Sequence, residues 1–152
     1  MPVGKPAFER SLEALSHRER TIAELIAWLG ERDYESGEVE EAVERLVEAG
    51  ALDDERFARE FAADKRDLRG WGPERIRGAL AERGLDAATI EAALAADGPG
   101  EQLERAIAML ERRGEPPDDE RSRARALAYL ARRGYDSEIA YEAVRGFERR
   151  AA

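Results

Sequence analysis

The chain has no cysteine, one histidine and two tryptophans in 152 residues. Without cysteine there is no disulfide, no thiolate nucleophile and no cysteine-ligated zinc. That composition suits a reducing cytosol, and a cytoplasmic location is expected. No run of about 18 apolar residues exists, so no membrane-spanning segment is expected. Met1-Pro2-Val3-Gly4-Lys5 lacks an apolar core of the secretory type, so no signal peptide is expected. Period-2 alternation is not sustained anywhere, which argues against strands. The one histidine, His17, stands beside Ser16 at an expected helix start. A capping or surface role suits it better than catalysis. No G-x-x-x-x-G-K-[ST] phosphate loop occurs, so no nucleotide hydrolysis is expected. Gly70-x-Gly72 follows a helix, not a strand, and reads as a turn. Glu38, Glu41 and Glu44 have no histidine at di-iron spacing and read as a solvated face. No cofactor, no metal and no enzymatic activity are expected.

What is present is a repeated phrase. Leu29-Gly30-Glu31-Arg32-Asp33-Tyr34-Glu35 matches Leu80-Ala81-Glu82-Arg83-Gly84-Leu85-Asp86, and both match Leu130-Ala131-Arg132-Arg133-Gly134-Tyr135-Asp136. The offsets are 51 and 50 residues. A fixed period of this length marks one supersecondary unit used three times. Each unit reads as three helices, and the expected repeats are 1–52, 53–97 and 98–152. A unit of this size buries little surface alone, so neighbours must cover its apolar edges. The fold expected is all-α: three tandem three-helix repeats forming an elongated, curved chain.

In the first repeat, Phe8, Leu12 and Leu15 mark a short leading helix. Ser16-His17-Arg18-Glu19 has capping-box spacing. Ile22, Leu25, Ile26 and Leu29 form one stripe, and Val39, Val43, Leu46 and Val47 another. In the second, Asp53-Asp54 caps a helix whose buried side is assigned to Phe57, Phe61 and Leu68. Gly70-Trp71-Gly72-Pro73 breaks the chain, with Pro73 suited to a first helical turn. Asp97-Gly98-Pro99-Gly100 reads as the clearest linker. In the third, Gly114-Glu115-Pro116-Pro117 is a loop. Asp118 and Asp119 cap a helix carrying Ala124, Leu127, Leu130 and Ala131, and superposing the copies places Ala126 with Leu25 and Ile76 at a core position.

Three tandem triplets joined by Leu52-Asp53-Asp54-Glu55-Arg56-Phe57-Ala58 resemble the RecX family of RecA modulators. Gly70-Trp71-Gly72-Pro73-Glu74-Arg75-Ile76, with Leu80 and Arg83-Gly84-Leu85, is similar to that family's Gly-x-x-Arg-Ile-x-x-x-Leu-x-x-x-Gly-Ile/Val pattern. Arg18-x-x-Thr21-x-x-Glu24-Leu25-x-x-x-Leu29 looks like its first-repeat helix. The chain departs from the family at Trp28, where a basic residue is common, and at Asp33, where glycine is usual. The resemblance implies a non-enzymatic regulator in DNA repair, recombination and the SOS response. Such a protein binds the RecA filament on single-stranded DNA. It lowers ATP turnover and strand exchange and limits filament growth.

Net charge is −9, and it is uneven: residues 1–64 carry 8 basic and 17 acidic residues, the remainder 17 of each. Residues 65–83 and 121–150 are locally basic. Helical triplets can bind DNA, and Trp71 could stack on a base. A pI near 4.9 opposes strong autonomous DNA binding, which rests on phosphate neutralisation. The expected contact residues are Arg66, Arg69, Trp71, Arg75 and Arg77, with at most a weak direct DNA contact and a monomeric chain. The competing readings are a direct single-stranded DNA binder and a generic helical adaptor.

Overall fold

The computed structural model describes residues 4–152, so Met1–Val3 of the expected leaderless N-terminus lie outside it. Among the described residues the chain forms nine α-helices and no strand. They are α1 (Ala7–His17), α2 (Ile22–Glu31), α3 (Ser36–Glu48), α4 (Asp54–Arg69), α5 (Pro73–Glu82), α6 (Ala87–Leu94), α7 (Pro99–Arg113), α8 (Glu120–Arg132) and α9 (Ser137–Ala151). Among the described residues no helix is long and apolar enough to cross a membrane.

The helices pack as triplets. In each, the third helix lies against both the first and the second. The core is divided accordingly. Leu25, Leu29, Val39 and Leu46 form the first cluster, Phe57, Ile76, Leu80 and Ile90 the second, and Ile107, Leu110, Leu130 and Val144 the third. Solvent reaches 9283 Å² of surface. A compact monomer of 17.0 kDa would expose about 7,700 Å². The excess is that of an elongated array with three small cores.

Side-chain chemistry sets most helix ends. Asp53, Asp86, Asp119 and Asp136 each accept a backbone N–H from the first turn of the helix they precede. Gly70 ends α4 with φ 67°, and Pro73 opens α5. The first capping box lies elsewhere than at Ser16–Glu19. It is Thr21 with Glu24. The hydroxyl of Ser16 donates back to the Glu13 carbonyl at 2.6 Å, as a helical serine does, so α1 continues to His17. His17 therefore ends a helix instead of starting one.

Several expected core positions face solvent. Leu12, Ile26 and Val47 are each close to half exposed, and Leu68 is 77% exposed. On α1 the buried side is Ala7, Ser11 and Ala14, whose small volumes permit a close approach, while Leu12 turns outward. The partner of α4 is α6, which has only 8 residues against 16, so Leu68 overhangs its end. On α8 the inner positions are Ala126 and Leu130; Ala124 and Ala131 are exposed. The expected linker at Asp97 is not loose. Asp97 is 6% exposed, and Arg105 donates to both its carboxylate oxygens at 2.9 and 2.7 Å. Glu38 is not wholly solvated either, because it accepts the Ala7 N–H at 2.9 Å and fixes the start of α1.

Candidate functional site

The repeated phrase does more than end a helix. It docks each repeat onto the one before it. In the first joint the Thr21 hydroxyl donates to the Arg83 carbonyl at 2.7 Å. In the second, the Gly72 N–H donates to the Arg133 carbonyl at 2.8 Å. Thr21 and Gly72 are the N-caps of α2 and α5, and Arg83 and Arg133 occupy one position of the phrase. The start of the second helix in one repeat thus holds the phrase of the next.

The two joints differ in chemistry. The first is held by charge. Arg83 grips Glu24 through two hydrogen bonds of 2.6 and 3.0 Å, and Asp54 accepts the Ile22 N–H at 3.0 Å. Burial disfavours the charged form of Glu24. The hydrogen bonds from Arg83 and from the Thr21 N–H outweigh it and hold this carboxyl below its ordinary value. Burial pushes the Asp54 carboxyl the other way, upward.

Backbone groups carry the second joint. The Glu74 N–H donates to the Gly134 carbonyl at 2.9 Å, and the Tyr135 hydroxyl donates to the Gly70 carbonyl at 2.8 Å. Chains this close leave no room for a side chain. A Cβ on Gly72 would sit 2.5 Å from the Gly134 carbonyl oxygen, and a Cβ on Gly134 2.5 Å from that of Arg75. Gly134 also has φ 101°, a region open chiefly to glycine. At the first joint Gly84 meets Ala23 in the same manner. The equivalent Asp33 keeps φ 64° in the first of the three repeats, where the phrase forms neither of the two joints and a side chain is tolerated.

The five expected contact residues gather around the second joint in different states. Trp71 is half-buried, edge-on to Phe61 at 6.4 Å between ring centres. The Arg75 guanidinium lies 4.2 Å from its ring centre and Lys65 4.9 Å. Arg75 also reaches the Arg132 carbonyl at 3.4 Å, so Arg75 is part of the joint, while Trp71 packs against the core of its own repeat. Arg77 is held by Glu91 and Glu74, which stabilise its charged form. Arg66 is half-buried, with Nη1 sealed from solvent and without a hydrogen-bond partner. Arg69 is exposed and its side chain makes no ion pair among the described residues. For Thr21, Glu24, Asp54, Tyr135 and the Arg-Gly step of the phrase, the sequence shows a local role but not the contact between repeats. The recurrence of Arg-Gly at 83–84 and 133–134 was the available signal.

Residues 7–46, 53–94 and 100–144 match the family models described as the first, second and third three-helix domains of RecX. Regulatory protein RecX of Mycolicibacterium vanbaalenii is 33% identical over 150 residues, covering 93% of this chain and 82% of that protein. The protein of the same name from Stenotrophomonas maltophilia is 37% identical over 139 residues, covering 90% and 84%. The crystal structure of RecX from Lactobacillus salivarius matches with a TM-score of 0.86 at 19% identity, over 93% of this chain and 94% of that one. A second crystal structure, of a regulatory protein RecX, gives 0.77 at 26% identity, over 92% and 70%.

Proposed function

Because this chain belongs to the RecX family of regulatory proteins, we propose that it binds the RecA filament on single-stranded DNA and restrains it, lowering ATP turnover, strand exchange and filament growth. The observation that carries this reading is the order of the three repeats in one extended array with specific joints. Such an array has the shape to follow a groove and touch successive RecA protomers. Once one repeat is seated, the next is presented at high effective concentration, so modest contacts add up to slow release. Rigid joints lower the ordering cost of each further contact.

The surface around the second joint is the main contact in this reading. Arg69 offers its guanidinium to the partner, and half-buried Arg66 only the part of its group that Nη1 does not take inside. Trp71 braces the turn against the core of repeat two, Arg75 ties that turn to repeat three, and Arg77 stays with its own carboxylates. The protein works where RecA works, in the cytoplasm, and regulates without chemistry of its own. Direct capture of single-stranded DNA is the lesser reading, since the net charge of −9 opposes a polyanion.

The test is RecA's DNA-dependent ATP turnover at rising concentrations of this protein. The expected result is inhibition that saturates. Unchanged turnover at concentrations that coat the filament overturns the proposal. Tight binding to bare single-stranded DNA, lost steeply with salt, favours the lesser reading instead.

A further inference from the structure

The first repeat holds most of the acid, yet it builds an uncompensated cluster of cations. Trp28, half-buried on α2, has three guanidinium carbons near its ring centre: Arg32 at 3.7 Å, Arg20 at 5.2 Å and Arg10 at 5.7 Å. No other ring among the described residues carries three guanidinium groups, and five arginines elsewhere in the chain close tightly on carboxylates. Arg77, Arg83, Arg105, Arg123 and Arg150 each have an oxygen within 3.0 Å. Around Trp28 the ion pairing fails. The Arg10 side chain makes no hydrogen bond or ion pair among the described residues, and that of Arg20 only reaches the Ala14 carbonyl. Arg32 has the Trp28 carbonyl at 2.9 Å and a distant Glu31 at 3.9 Å.

Carboxylates were available. Residues 1–64 contain 17 acidic side chains, and Glu24, which lies near Arg20, is already gripped by Arg83 and the Thr21 N–H. Burial pulls the Arg20 guanidinium below its ordinary value, and Arg18 and Arg32 add repulsion against a smaller pull from Glu24. An unscreened group of like charges is costly to assemble, and a carboxylate brought by another molecule would relieve it. Tryptophan and arginine together are also the residue types that dominate binding energy at protein–protein contacts.

We propose that Arg10, Arg20 and Arg32 around Trp28 form a docking surface for an acidic segment of a protein partner. Guanidinium forks accept carboxylates in pairs of parallel hydrogen bonds. A protein segment suits the surroundings better than a nucleic acid, because the acid-rich remainder of the repeat repels a continuous polyanion more than a few local carboxylates. The surface lies in the first repeat, away from the residues assigned above to the RecA contact. It does not depend on that assignment.

The experiment uses the full chain and a fluorescently labelled ten-residue peptide with three aspartates spaced among serines and glycines, followed by anisotropy. A labelled ten-nucleotide oligo(dT) is run in parallel. The expected result is peptide binding that weakens with salt and falls about tenfold in an Arg10→Gln, Arg32→Gln double variant. Circular dichroism checks that the double variant keeps its helices. Arg10→Gln alone, which removes no hydrogen bond of the fold, is expected to lose part of the affinity if the double variant does not fold. Absence of peptide binding, binding equal in wild type and variants, or preferential loss of oligo(dT) binding overturns the proposal. RecA plays no part in this readout, so its failure and failure of the regulatory reading are separate results.

Discussion

Thr21 and Arg83 are 62 residues apart, and the hydroxyl of one donates to the carbonyl of the other at 2.7 Å. The same hydroxyl accepts the Glu24 N–H at 3.1 Å, so one buried atom both starts α2 and docks the second repeat. Thr21→Val removes both bonds while keeping the shape. It is expected to cost about 2 kcal/mol, the sum of a lost cap and an unpaired buried carbonyl. Thr21→Ser is expected to retain most of that stability. The midpoint of urea unfolding measures both.

Gly134→Ala tests the second joint. The added methyl meets the Arg75 Cβ and a backbone that favours glycine. The expected loss is about 2–3 kcal/mol of docking, through overpacking and left-handed strain. Small-angle X-ray scattering should show a wider spread of dimensions, and inhibition of RecA should weaken. An equal substitution at Gly100, where nothing lies within 4 Å, is the control.

The first joint should depend on pH through Glu24. Its carboxyl titrates below the ordinary value in the folded protein, so the unfolded chain binds the proton more readily. The resulting stabilisation is complete above the unfolded value of about 4.3 and is lost as pH falls through the folded one. Unfolding measured from pH 7 down to pH 3 should show this fall. Glu24→Gln should flatten its share of the slope.

Asp33→Gly should stabilise the protein. The aspartate holds φ 64° in a phrase that forms neither of the two joints. Relief of left-handed strain, reduced by the greater freedom of glycine when unfolded, leaves a gain of about 0.5 kcal/mol. Thermal unfolding is the measurement, with no change expected in RecA inhibition.

Arg69→Glu separates contact from packing. The side chain is exposed and unpaired among the described residues, so stability should change by less than about 0.5 kcal/mol. RecA inhibition should need several-fold more protein. Arg77→Glu, by contrast, places a third carboxylate beside Glu74 and Glu91 and should lower stability.

The three-triplet architecture was legible because its signals are local: helical periodicity, aspartate caps, and a phrase that returns every 50 or 51 residues. Gly70 and Pro73 likewise declared their turn through backbone preference. What stayed hidden was long-range. Nothing local in Arg83-Gly84 shows that its carbonyl is bound by a hydroxyl 62 residues earlier. Hydrophobicity alone places Leu12 and Leu68 inside, where the structure exposes them. Close packing through Ala7, Ser11 and Ala14 decided the face of α1, and the short α6 decided the end of α4. Trp71 is apolar, aromatic and flanked by cations whether it faces a partner or the core of its own repeat. The sequence of one chain is the same in both cases. Asp33 stood out as an exception in sequence, and its reason came only with the joint geometry.

The helix starts that receive the phrase are not interchangeable. Thr21 and Gly72 cap α2 and α5 at equivalent positions, but α8 begins three residues before the corresponding Ser122, at the cap Asp119. Asp119 and Ser122 satisfy each other there. Separate copies meeting head to tail would therefore present a closed acceptor on one molecule and Asp33, with its obstructing side chain, on the other. The same contact that propagates order along one polypeptide supplies no rule for polymerisation between polypeptides.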